Sequence, residues 1–147
     1  MPASSRSPGR STSGLLARRL ALLALFEDEF RPGSGQASLD RLAEERSVPD
    51  DVREHAAGIV AGVAEHRPEL DARIAAEAPL IPVAELGRVE RTILRSAIYE
   101  VLYSAATPSG DTMRDAVSLA RIYAGDPARR LVNGVLGSVS RSSGGGA

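Results

Sequence analysis

Cysteine and tryptophan are absent from this chain of 147 residues, and all 18 of its basic residues are arginine. Without cysteine there is no disulfide, no thiolate nucleophile and no thiolate metal site, so nothing places the protein outside the cytoplasm. The lack of lysine reads as a bias of genome composition, although the arginine fork does suit phosphate. Charge of one sign is also missing. The net charge is −1, so no global cationic field advertises a nucleic-acid binder, and any such site must come from local clustering. The longest apolar stretch, Leu15 to Phe30, is interrupted by Arg18, Arg19, Glu27, Asp28 and Glu29, which excludes a membrane span of about 20 residues there.

Aromatic residues make up only 3% of the chain, and no segment sustains the polar–apolar alternation of a strand. Ala, Leu, Arg and Glu dominate, so the expected fold is all-α. With 43% apolar residues the length suits one domain with its own core. Residues 1–14 are rich in Ser and Arg and lack acids, which reads as a disordered tail in preference to a transit peptide. Residues 141–147 read as a flexible Gly-rich end, leaving 15–140 as the helical domain.

A first helix is expected from about Leu15 to Phe30, ended by Arg31-Pro32-Gly33-Ser34-Gly35. Ser38 is placed to cap a short second helix to Arg46. Pro49-Asp50-Asp51 opens a third to about His66, and Pro68 a separate fourth through Ala78. Pro79 and Pro82 precede a long fifth helix over about Val83 to Ser104, with Leu86, Val89, Ile93, Ala97 and Val101 as its apolar stripe. Thr107 to Asp111 reads as a loop. Asp111 or Thr112 can cap a sixth helix, with Met113, Ala116, Val117 and Ala120 inward, and Gly125 ends it. Asn133-Gly134 would ordinarily mark a hairpin. The helical spacing of Ala128, Leu131, Val132, Val135 and Val139 after Asp126-Pro127 overrides that signal and predicts a seventh helix.

Little in the chain suggests catalysis. His55 and His66 lie about three helical turns apart, too far to share one metal, and are expected to be exposed. No Ser/His/Asp set has a nucleophile-elbow context, and Gly33 and Gly35 follow no strand, so neither a hydrolase nor a phosphate loop is indicated. The acid pairs Glu44/Glu45 and Asp50/Asp51 suit helix ends. No metal, cofactor or catalytic residue is expected. The arginines are more suggestive: Arg6, Arg10, Arg18 and Arg19 near one end, Arg121, Arg129 and Arg130 near the other. If the ends meet, a basic patch forms; charge pattern alone equally allows solvated arginines paired with nearby acids.

Several stretches in order carry a family resemblance. They are Ala17-Arg18, Ala21 and Ala24-Leu25-Phe26; Gly62-Val63; Glu85-Leu86-Gly87-Arg88-Val89-Glu90-Arg91 through Ile93-Leu94-Arg95 and Tyr99-Glu100; Asp115-Ala116-Val117 with Leu119-Ala120-Arg121; and Val132-Asn133-Gly134-Val135-Leu136. From about Ala17 to Val139 the chain resembles the NusB family of bacterial transcription antitermination factors. The resemblance implies a compact all-helical bundle of about seven helices in two small subdomains. It implies pairing with NusE, a small-subunit ribosomal protein, binding of boxA RNA in rRNA leader transcripts, and entry into an RNA polymerase antitermination complex, with no enzymatic step. It carries RNA contact onto Arg18 and partner contact onto Phe26 and Glu90. Arg19, Arg10, Arg129 and Arg130 are RNA candidates by position.

The chain departs from the family's pattern. Gly14-Leu15-Leu16 stands where the family has a basic run, with Arg10 and Arg6 displaced into the tail. Ile81 lies near the place of a frequent Trp, Asp111-Thr112-Met113-Arg114 replaces an apolar run with Asn, and Leu131 replaces an aromatic residue. Two rival functions follow. One is the RNA-binding regulatory domain of rRNA cytosine-5 methyltransferases, which shares the fold but calls for a catalytic domain absent from these 147 residues. The other is a helical adaptor that has lost RNA binding.

Overall fold

The computed structural model describes residues 12–104 and 109–143, which form six α-helices and one 3-10 turn. The helices are α1 (Thr12–Phe30), α2 (Gly35–Glu45), α3 (Asp50–Glu77), α4 (Arg88–Tyr103), α5 (Ser109–Ala124) and α6 (Asp126–Ser143), with the 3-10 turn at Val83–Glu85. Helices α1 to α3 pack on one another, as do α4 to α6, and the two sets join chiefly where α4 lies against α3 and α1. Leu20, Ile59, Leu94, Ile98, Val132 and Leu136 are fully buried and carry the core across both sets. The expected all-helical bundle in two small sets is the fold observed. No helix among the described residues is long and apolar enough to cross a membrane.

The expected third and fourth helices are one. α3 runs through Pro68 without a break, although a proline inside a helix removes a donor and costs about 3 kcal/mol or more. Burial outweighs that cost. Pro68 is exposed, while Val52, Ala56, Ile59, Val63, Leu70 and Ile74 continue a single buried stripe on both sides of it. Leu70 and Ile74 are wholly removed from water, each contributing about 1.5–3 kcal/mol. Asp71 adds a two-toothed grip on Arg95 of α4, at 2.7 and 2.9 Å.

The expected fifth helix begins later than its apolar stripe. Gly87, at φ −59 and ψ 150, precedes Arg88, so Leu86 packs as a buried residue ahead of the helix. The Arg91 guanidinium holds this lead-in by donating to the carbonyls of Val83, Ala84 and Leu86 at 3.1–3.4 Å. A side chain at Gly87 would collide with the Glu90 carboxylate. At the other junctions, α2 starts at Gly35 ahead of Ser38, because Asp28 accepts from the amides of Gly33 and Gly35 at 2.9 and 3.0 Å. α1 starts at Thr12 and α5 at Ser109, both earlier than expected. Gly125, at φ +89, turns the chain between α5 and α6. Asn133 and Gly134 lie inside α6, exposed on its outer side while Val132, Val135 and Leu136 are buried.

Candidate RNA and partner surfaces

Arg18 is inside the bundle. It retains 7% of its exposure, and its three guanidinium nitrogens are all engaged. Nε and Nη2 donate to the two carboxylate oxygens of Glu100 at 2.8 and 3.4 Å, Nη1 donates to Asp115 Oδ2 at 2.6 Å, and Nη2 also reaches Thr112 Oγ1 at 3.2 Å. His55 on α3 completes the cluster, with Nε2 2.8 Å from Glu100 Oε2. One guanidinium thus ties α1 to α4 and α5, and Glu100 links them to α3. Burial opposes charge on Arg18, but Glu100 and Asp115 outweigh it and raise its pKa. Burial likewise pushes against the Glu100 carboxylate, and His55 and Arg18 override it, holding Glu100 below its ordinary value.

Arg18, expected to contact phosphate, is thus placed inside the bundle. Four of its five N–H donors are engaged there, and drawing it out would strand both acids. Helical register carried the signal. Arg18, Leu22 and Leu25 share one buried side of α1, and Glu100 continues the Ile93–Ala97 stripe of α4. Both charges sit where an apolar residue is expected, which is the mark of a buried pair.

A second ion cluster escaped the sequence. Glu29, at the end of α1, accepts from Arg91 at 2.5 Å, Arg95 at 3.1 Å and Arg67 at 3.2 Å, with Arg88 Nε at 3.9 Å. Burial acts against the Glu29 carboxylate, yet Arg91, Arg95 and Arg67 hold it below its usual range. Arg91 and Arg95 therefore brace α4 against α1 and α3. The histidines are half-buried, not exposed: His55 is bonded as above, and His66 stacks on Tyr103 with ring centroids 4.0 Å apart.

The remaining candidates fall on two surfaces. Phe26 is half-buried and meets Phe30 edge-on at 5.2 Å; Phe30 is 56% exposed, with the Arg88 guanidinium 4.5 Å above its ring. Glu90, half-buried, stands in the first turn of α4. Phe26 and Glu90 thus belong to helix ends that adjoin through Arg88 and its contacts with Glu29 and Phe30. On the other surface, Arg130 and Arg121 are exposed and make no ion pair among the described residues, and Arg129 reaches Asp126 at 3.3 Å. Arg19 is half-buried, and its Nε is buried without a partner among the described residues. Arg10 lies outside the described residues. Arg18 meets the first half of α5 at Thr112 and Asp115, and about 9 Å of helix separates Asp115 from Arg121; Arg6, like Arg10, lies outside the described residues. Among the described residues, no group of three or more His, Asp or Glu could hold a metal ion.

The NusB family model matches residues 15–141. The chain belongs to the NusB family. It is 31% identical to the transcription antitermination protein NusB of Dehalococcoides mccartyi over 132 residues, covering 90% of this chain and 92% of that protein. It is 37% identical to the NusB of Symbiobacterium thermophilum, covering 89% and 91%. Among solved structures it resembles a chain in the crystal structure of antitermination factors NusB and NusE in complex with dsRNA, with a TM-score of 0.82, 27% identity, and coverage of 90% of this chain and 99% of that one. Thermotoga maritima NusB superposes with a TM-score of 0.80 at 25% identity, covering 92% of each chain. The resemblance carried by Glu85 to Arg95 and Leu131 to Leu136 therefore extends over nearly the whole NusB fold.

Proposed function

We propose that this protein is a non-enzymatic transcription antitermination factor that pairs with NusE, binds boxA-type RNA of rRNA leader transcripts, and joins the RNA polymerase antitermination complex in the cytoplasm. The observation that carries this is similarity to NusB antitermination proteins along about nine-tenths of both chains, together with the likeness to a chain of the NusB–NusE–dsRNA complex. The acting unit is residues 15–140, with helix ends running on to Thr12 and Ser143.

Phe26 and Glu90 take the ribosomal partner, with exposed Phe30 and Arg88 extending their surface. Arg129, Arg130 and Arg19 hold phosphates, and Arg10 adds to them from the N-terminal segment. Because those contacts are ionic, affinity falls as salt rises. Sequence is read from unpaired bases jointly with NusE. The test is a reporter that places an rRNA leader with boxA ahead of a terminator. Deleting the protein abolishes read-through and restoring it recovers read-through; equal read-through in both strains contradicts the proposal.

The burial of Arg18 favours one second reading, an adaptor that binds NusE without touching RNA. It predicts a stable heterodimer whose RNA affinity equals that of NusE alone.

A further inference from the structure

α5 and α6 meet at a corner with an unusual surface. Gly125 turns the chain there, its amide bonded to the Arg121 carbonyl at 3.0 Å and its own carbonyl accepting from the Arg129 amide at 3.1 Å. The last turn of α5 leaves Ile122 53% and Tyr123 40% exposed. Every other Phe or Tyr ring has a ring neighbour: Phe26 pairs with Phe30, and Tyr99 and Tyr103 stack with His66. Tyr123 has none among the described residues. Arg121 and Arg130 flank it in sequence and are exposed without ion pairs among the described residues, while Asp126 is the single acid between residues 121 and 130 and is engaged by Arg129.

An exposed aromatic ring at a corner that also carries exposed guanidinium groups, with three arginines against one acid between residues 121 and 130, matches the chemistry of a single-stranded nucleic acid. A base offers a π-face to the ring and the adjoining phosphates offer charge to the arginines. A partner protein of like chemistry would need an acidic surface carrying an apolar finger, and nothing at the corner favours one. We propose that Tyr123 is a base-stacking platform, on which one unpaired nucleotide of the bound RNA lays its base beside Ile122 while Arg121 and Arg130 hold neighbouring phosphates. This rests on the RNA-binding function proposed above, and it names a residue for the base contact where the arginines named there hold phosphates.

The experiment compares wild type, Tyr123→Ala, Tyr123→Phe and Arg121→Ala, each bound to NusE, for affinity to a fluorescent boxA leader RNA across a salt series. Tyr123 is exposed at a helix end, so its variants fold, as circular dichroism checks. Tyr123→Ala weakens binding by about 5- to 100-fold at every salt concentration and leaves the salt slope unchanged. Tyr123→Phe keeps wild-type affinity, and Arg121→Ala lowers the slope by about one unit. A fluorescent adenine analogue moved through the RNA is quenched at one position by wild type and not by Tyr123→Ala. Undiminished RNA affinity in Tyr123→Ala overturns the stacking role while RNA binding stands. Loss of NusE affinity in that variant overturns it in favour of a protein contact. Failure of the wild type to bind RNA overturns both the stacking role and the function beneath it.

Discussion

Arg18 of α1 and Glu100 of α4 meet through Nε and Oε1 at 2.8 Å, with side chains 8% and 2% exposed. Eighty-two residues apart in sequence, they join the two halves of the bundle with a charge pair shut off from water. A pair so buried adds little over a well-packed apolar pair, but removing one partner is costly because the other charge is left alone.

Arg18→Ala is therefore expected to destabilise the fold by about 3–5 kcal/mol, seen as a lower urea midpoint. The folded fraction keeps the wild-type salt slope for RNA. A fall of about one unit in that slope would return Arg18 to the RNA surface.

Acid should loosen the same joints. Glu100 and Glu29 both titrate below the ordinary value of 4.5 when folded. A depressed folded pKa means that the unfolded chain takes up protons first as pH falls. The stabilisation is thus complete above about pH 5 and is lost as pH drops through 4.5 and then through the lower folded values. Urea unfolding between pH 7 and pH 3 should show stability flat at first and then declining. Glu29→Gln, less stable at pH 7, should decline less steeply; equal declines would remove Glu29 from the cause.

Glycines of α3 differ in what surrounds them. A methyl at Gly62 would run into the Tyr99 ring, whereas at Gly58 it meets nothing within 4 Å. Gly62→Ala should cost about 1–3 kcal/mol through overpacking, and Gly58→Ala should stabilise by about 0.5–1 kcal/mol through helix propensity. Thermal melts of the two variants should move in opposite directions. The same sign for both would contradict the packing described.

Phe30 is more exposed than Phe26, and Arg88 covers one side of its ring. If this is the NusE surface, Phe30→Ala leaves the melting temperature nearly unchanged and weakens NusE binding about tenfold, the effect of losing an aromatic anchor. Unchanged affinity by titration calorimetry would move the partner surface elsewhere.

Periodicity made most of the fold legible. The spacing of Val132, Val135 and Val139 correctly overrode the hairpin signal of Asn133-Gly134, because burying one side of a helix outweighs a local turn preference. The same logic holds at Pro68, where Leu70 and Ile74 continue the stripe of Val63 and override the break a proline signals. Charge was hardest to read. Arg18, Arg91 and Arg95 look like surface cations in one dimension, and their partners Glu100, Glu29 and Asp71 lie 82, 62 and 24 residues away. No local pattern links such distant residues; only a charge in an apolar register hints at them. Tyr123 gave no sign either, since its exposure depends on how α5 ends against α6.

The most direct test is the binding of fluorescent boxA leader RNA to this protein, with and without NusE, across a salt series. Salt-dependent binding that rises sharply when NusE is added is the predicted result. A stable heterodimer that binds RNA no better than NusE alone would contradict the antitermination account and leave the adaptor.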